Sequence, residues 1–108
     1  MRLPRYVYAI KHNPTGRIYI GSTCNVKERI RQHMSLLRSG KHHVENMQDD
    51  FNQYGEDYSV SVLDRFDTYQ DREIEYDWMH KYNTVNPKYG YNNKDVHALL
   101  TSRKEVMK

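Results

Sequence analysis

Apolar and polar residues alternate over 5–11, "RYVYAIK", and again over 17–21, "RIYIG". Such alternation marks a strand with one face against a core. Between the two runs lies "NPTG", residues 13–16, with Pro14 and Gly16 placed as a tight turn requires. Residues 5–21 therefore read as a β-hairpin. Period-two geometry puts Ile18 and Ile20 on one face of the second strand, and Tyr19 and Gly21 on the other. In the first strand Val7 and Ala9 share a face, while Tyr6, Tyr8 and Ile10 share the opposite one. Tyr8 and Tyr19 can then lie on one surface of the hairpin.

The period changes after the hairpin. Val26, Ile30, Met34 and Leu37 recur at helical spacing. Asn25 is a good N-cap, Glu28 stands in capping-box position, and "SG" at 39–40 suits the helix end. Arg29 and His33, four apart, flank the apolar stripe and can face the hairpin. A second helix is expected over 44–53, ending before Gly55. "YSVSVLDR" at 58–65 reads as a third strand, and a helix follows at about 68–83. The apolar face of that helix is Ile74, Trp78, Met79 and Tyr82, and Glu75 falls near the middle of it. A carboxylate there is costly unless paired, hydrogen-bonded or metal-bound. A structural bridge to Arg29 or to tyrosine hydroxyls accounts for it about as well as a metal does. The elements predict one α+β domain, a small three-stranded, mostly antiparallel sheet flanked by helices, over residues 1–95. Residues 96–108, which include "VHALLTSRKEVM", read as a terminal helix or the start of a linker.

Composition narrows the class. A chain of 108 residues is enough for one core, and 37% hydrophobic with 29% charged residues favours a folded, polar-surfaced protein. No apolar run approaches the roughly 20 residues that span a membrane, so no membrane partner is expected, and no secretory signal is visible. Cys24, the single cysteine, cannot form an intrachain disulfide, which points to a reducing, cytoplasmic setting. It has no CxxC partner for redox or zinc chemistry. The net charge of +3 hides a segregation: residues 1–43 hold nine Lys/Arg and one acid, whereas residues 44–80 hold two bases and eleven acids. The basic third can attract a polyanion such as nucleic acid, although such stretches are more often plain solvated surface. Ten tyrosines suit a core with polar tips, stacking, or acid–base chemistry.

Several of these features stand in a recognisable order. "YVY" at 6–8 is followed, after ten residues, by "YIG" at 19–21. Arg29 lies ten residues past Tyr19, and His33 four beyond it. "FNQYGED" covers 51–57, with His42 nine residues before Phe51, and "EYDW" at 75–78 and "GYN" at 90–92 close the series. This order and spacing, over about residues 5–93, resembles the GIY-YIG nucleases, in particular the catalytic part of the homing endonucleases encoded by phages and introns. Tyr6 stands where the signature has its first glycine, a departure that bears on the local backbone more than on chemistry.

The resemblance implies a metal-dependent endonuclease acting on DNA. Glu75 would hold Mg²⁺ or Mn²⁺ as its sole protein ligand, in keeping with an ion that retains much of its water. Arg29 would stabilise the charge of the pentacovalent transition state, where a planar guanidinium suits phosphate better than lysine does. Tyr8 would serve as general base, with Tyr19 and His33 tuning or orienting it. A tyrosine with a pKa of about 10 is a poor base at neutral pH, so it needs a cationic neighbour or a histidine relay. His42 would bind phosphate or orient the site, and Asn92 would support it by hydrogen bonds, a plain turn role being an equal contender. Lys27, Arg31, Arg38 and Lys41 would contact the DNA backbone or serve solubility. Homing relatives carry a separate DNA-binding domain, so one is expected elsewhere if this chain is a fragment. Two other readings remain open: an inert DNA-binding module of the same fold, and a structural interaction domain using the acidic 44–80 surface.

Overall fold

The structure, a computed structural model, describes residues 4–67 and 71–92. The hairpin strands are β1 (Arg5–His12) and β2 (Ile18–Thr23). They are followed by α1 (Val26–Arg38), α2 (Glu45–Tyr54), β3 (Tyr58–Phe66) and α3 (Asp71–Tyr82). The expected terminal helix or linker at 96–108 lies outside the described residues, as do residues 68–70 at the expected start of the last helix.

The three strands form one sheet in the order β2-β1-β3, with β1 antiparallel to both neighbours. The sheet is thus wholly antiparallel, and among the described residues the one parallel pairing is an isolated bridge between Ile18 and Gly90. Register slips once: Val7 faces Asp64 but Tyr8 faces Val62, leaving Leu63 as an extra residue on β3. Such a bulge bends and twists the strand locally, and here it lies beside Tyr8. Tyr6 pairs regularly with Thr23 and Arg65 and has no positive φ. The backbone at that point is ordinary strand, so a tyrosine in the glycine position is accommodated.

The alternation read from the hairpin sorts the core into two. Val7, Ala9 and Ile20 pack with Phe66 and Met79 on the face that α3 covers, joined by Ile74 and Trp78. Tyr8, Ile10 and Tyr19 pack with Leu37, Met47 and Tyr91 on the other face, beneath α1 and α2, with Val26, Ile30 and Met34. Both faces of the sheet are therefore sandwiched by helices.

Helix ends follow local chemistry. The Asn25 side chain accepts from the Glu28 N–H at 3.2 Å and caps α1. The Glu28 carboxylate does not complete the expected box; it is taken by the Arg31 guanidinium one turn on. At the other end Gly40 has φ +74°, and Gly55 beyond α2 has φ +86°, conformations that favour glycine. The apolar face of α3 is narrower than its sequence suggests. Tyr82 is 39% exposed and stacks on Trp78, because Trp78 turns its indole N–H toward Asp64 at 3.1 Å. No helix among the described residues is long and apolar enough to cross a membrane.

Candidate active site

Tyr8, at the centre of β1, extends across Gly21, its partner on β2. A Cβ at Gly21 would fall 2.6 Å from Tyr8 Cζ, so the missing side chain is what admits the phenol. The Tyr8 hydroxyl lies 2.9 Å from His33 Nε2 on α1. His33 Nδ1 lies 2.8 Å from His42 Nε2, and His42 Nδ1 accepts the backbone N–H of Val44 at 3.1 Å. The backbone N–H of His42 is in turn held by Gln48 Oε1 at 3.0 Å, and the Gln48 amide donates to Leu37 O and Asn52 Oδ1. A buried line thus runs from the sheet through two imidazoles to the start of α2. Tyr8 is 1% and His33 2% exposed. Tyr19 closes the cluster, with its ring centroid 4.9 Å from His33 and 6.3 Å from Tyr8.

Arg29, one turn before His33, hydrogen-bonds Gln32 at 3.1 Å and lies within electrostatic reach of the same hydroxyl. Burial pushes the Tyr8 phenol above its ordinary value, Arg29 draws it partly back, and Glu75 adds a further upward push. Glu75 and Arg29 therefore both act on one hydroxyl. Burial also depresses the imidazoles, His33 to about 3 and His42 to about 4, with further lowering from neighbouring histidines and Arg29. Both rings are neutral at physiological pH.

Glu75 approaches the same end of the hairpin from the opposite face of the sheet. Its Oε2 accepts from Ser22 Oγ at 2.8 Å, and the side chain is half-buried. Arg5 donates to the Ser22 carbonyl at 3.1 Å. The half-buried carboxylate on α3 thus has a serine hydroxyl among its partners. Ser22 is a site residue the sequence did not single out; its only signal was its place two residues beyond Ile20 on the α3 face. The donor chemistry suits a hard cation: a half-buried carboxylate offers the kind of oxygen ligand that an ion keeping much of its water accepts. Among the described residues, no group of three or more His, Cys, Asp or Glu could together enclose a metal. A transition-metal pair at His42 and His43 has no support, since both His42 nitrogens are already used.

The outer edge of β2 is held by the closing segment. Ile18 N–H donates to Tyr89 O, and Tyr91 N–H to Ile18 O. One residue pair further along, the Asn92 side chain takes the place of a strand: Oδ1 accepts Ile20 N–H at 2.8 Å and Nδ2 donates to Ile20 O at 3.0 Å. Asn92 thus grips the residue between Tyr19 and Gly21. Gly90 is required because a Cβ there would run into the Thr84 backbone. Tyr91 donates to Asp50 Oδ2 at 2.7 Å, and Asp50, 6% exposed, also pairs with Arg17. That brace was missed in the sequence; its signal was an acid beside Met47 and Phe51 in the stripe of α2.

The other cations divide. Arg38 forms a two-pronged pair with Glu56, at 2.6 and 2.8 Å, and Arg31 is held by Glu28. Lys27 and Lys41 are exposed. Exposed pairs of this kind contribute little and can be exchanged for phosphate contacts.

Comparison with known proteins decides the family. The sequence profile of the GIY-YIG catalytic domain matches residues 4–92. The chain belongs to the GIY-YIG family. It is 29% identical over 93 residues to intron-associated endonuclease 1 of Enterobacteria phage T4, covering 83% of this chain and 37% of that protein. The chain thus spans little more than a third of that relative's length. The solved catalytic domain of intron endonuclease I-TevI, in a mutant form, superposes with a TM-score of 0.75 at 26% identity, over 85% of this chain and 95% of that one. A second structure of that catalytic domain gives 0.72 at 24% identity, over 80% and 96%. The GIY-YIG domain described here therefore has the fold expected from its motifs and is similar to the catalytic part of a phage homing endonuclease.

Proposed function

We propose that this GIY-YIG domain hydrolyses phosphodiester bonds of DNA with the help of a divalent cation, as the catalytic part of a homing or mobile-element endonuclease. The observation that carries the reading is the Tyr8 hydroxyl, held 2.9 Å from the buried His33 imidazole and within the electrostatic reach of both the Arg29 guanidinium and the Glu75 carboxylate. A structural tyrosine needs one hydrogen-bond partner, not a cation and an anion as well.

Glu75, steadied by Ser22, would hold Mg²⁺ or Mn²⁺, which when bound supplies charge to neutralise phosphate oxygens and acidify a water. Arg29 offers a permanently charged fork to the phosphate, where negative charge builds up in the transition state. Tyr8 Oη is the group placed to orient the attacking water and receive its proton. Burial opposes the phenolate and Arg29 favours it, so cationic charge next to the hydroxyl is what makes it a usable base. Tyr19 and His33 hold the phenol in place, His42 supports His33 from behind, and Asn92 fixes the strand between Tyr19 and Gly21. Exposed Lys27 and Lys41, with Arg31 and Arg38 on release from their partners, would track the DNA backbone. Site selection would reside in a separate DNA-binding region of a longer protein, in line with the chain's 37% coverage of the phage relative.

Supercoiled plasmid incubated with the purified domain tests the proposal. Nicked or linear product is expected with Mg²⁺ or Mn²⁺ and none with EDTA. A folded domain that binds plasmid but leaves it intact with every divalent ion would favour the inert binding module.

A further inference from the structure

We propose that the backbone N–H of Val44 fixes the direction of every hydrogen bond in the buried line, so that His33 donates to Tyr8 and the tyrosine's own proton points away from the histidines. The placement of the proton rests on the hydrogen-bond geometry of two neutral rings; its catalytic meaning rests on the nuclease reading above.

One group in the line has no choice of role. A backbone N–H can only donate, and that of Val44 lies 3.1 Å from His42 Nδ1. His42 Nδ1 must therefore carry no proton, and the neutral ring holds its proton on Nε2. His42 Nε2 and His33 Nδ1 are 2.8 Å apart and share one proton, which His42 supplies. His33 Nδ1 is then the acceptor, and the single proton of neutral His33 sits on Nε2, 2.9 Å from Tyr8 Oη. Tyr8 Oη accepts that bond, so its own O–H is left to point elsewhere. The opposite set of tautomers would aim the His42 Nδ1–H at the Val44 N–H. Two donors facing each other in a buried place lose a hydrogen bond and leave polar groups unsatisfied. Both rings are neutral at physiological pH, so each carries one proton.

His42 is then held in register from two sides. Val44 occupies Nδ1, and Gln48 grips the His42 backbone N–H, with the Gln48 amide itself fixed by Leu37 O and Asn52. This makes His42 a positioning residue acting through His33. Its chemical consequence is specific. A proton passed inward from Tyr8 would have to emerge at His42 Nδ1, where Val44 blocks it. The histidine pair is therefore a donor to the tyrosine oxygen, suited to stabilising a phenolate, and is not a sink for the tyrosine proton. The choice between a cationic neighbour and a histidine relay is settled in favour of the cationic neighbour.

Two readouts test this. Long-range ¹H–¹⁵N correlation spectra of the intact chain report imidazole tautomers without any need for activity. At pH 7 both His33 and His42 should appear as neutral Nε2–H forms; an Nδ1–H form at either ring would overturn the proposal. Plasmid cleavage then compares His42→Leu, which has no donor to offer His33, with His42→Gln, whose amide N–H overlays Nε2 but cannot take up a proton. His42→Leu should lose about 100-fold in rate and His42→Gln should recover about tenfold of that loss, the range in which removing a supporting hydrogen-bond partner acts. Equal inactivity of the two variants, with both folded by circular dichroism, would restore the relay and overturn the proposal. Nε2–H tautomers in a protein that cuts no DNA would uphold the wiring while defeating the nuclease reading, so the two failures are separable.

Discussion

Burial of two uncharged imidazoles beside a tyrosine has a consequence for stability that is separate from catalysis. An unfolded chain protonates these histidines near pH 6.5, whereas the folded domain holds His33 down to about 3 and His42 to about 4. Between those limits the unfolded state binds more protons, so the stabilisation is complete above pH 6.5 and is lost as pH falls toward 3. Urea unfolding at a series of pH values should show stability dropping between pH 6.5 and 4, and the drop should shrink in His33→Phe. A flat profile over that window would mean the histidines are not held neutral. At this scale the sequence conveyed identities but not partners. Tyr8, Tyr19, Arg29 and His33 were legible because strand and helix periods place them on facing surfaces. The partnership of Ser22 with Glu75 joins residues 53 apart in the chain, and no local pattern encodes it.

At the scale of elements, the hairpin and α1 were legible almost to the residue. Their signals are local: alternation, a Pro–Gly turn, and an asparagine cap whose bond to the Glu28 N–H is present. The sheet order was not legible, because β3 returns to β1 after two helices and its bulge depends on a register that only packing decides. Hairpin and site are coupled at Gly21. A methyl group there must displace the Tyr8 ring, which is packed on both sides and bonded to His33. Gly21→Ala should cost about 1–3 kcal/mol of stability, the usual range for overpacking, and should also lower cleavage by shifting Oη. Urea unfolding and plasmid cleavage measure the two effects. Wild-type values for both would show that the ring is free to move and that Gly21 is not what seats it.

Across the whole molecule, the segregated charge of the sequence is partly consumed within the fold. Arg17 of the basic third pairs with Asp50, and Arg38 with Glu56, both from the acidic middle. Two acids of that stretch, Asp50 and Glu56, thus serve the protein's own cations. Lys27 and Lys41 stay exposed beside α1, on the layer that also carries Arg29, while Glu45, Asp49, Asp67 and Asp77 stay exposed in the acidic stretch. The site itself gathers residues from both layers, His33 and Arg29 from α1 and Glu75 from α3, around the open end of one hairpin. A cluster assembled across two layers in this way is visible in a sequence only as an ordered set of spaced motifs.

The central claim is that Glu75 is kept at that junction for a metal ion rather than for the fold. Glu75→Gln keeps an oxygen for the Ser22 hydroxyl and removes the charge, so cleavage of supercoiled plasmid in Mg²⁺ by this variant is the most direct test. Unfolding in EDTA, run beside it, should show the variant folded and no less stable than wild type, since the substitution relieves the desolvation of a half-buried charge. The account predicts cleavage reduced by more than about 100-fold, the scale expected when a preorganised transition-state contact is lost. A Glu75→Gln domain that cuts plasmid at the wild-type rate would contradict it.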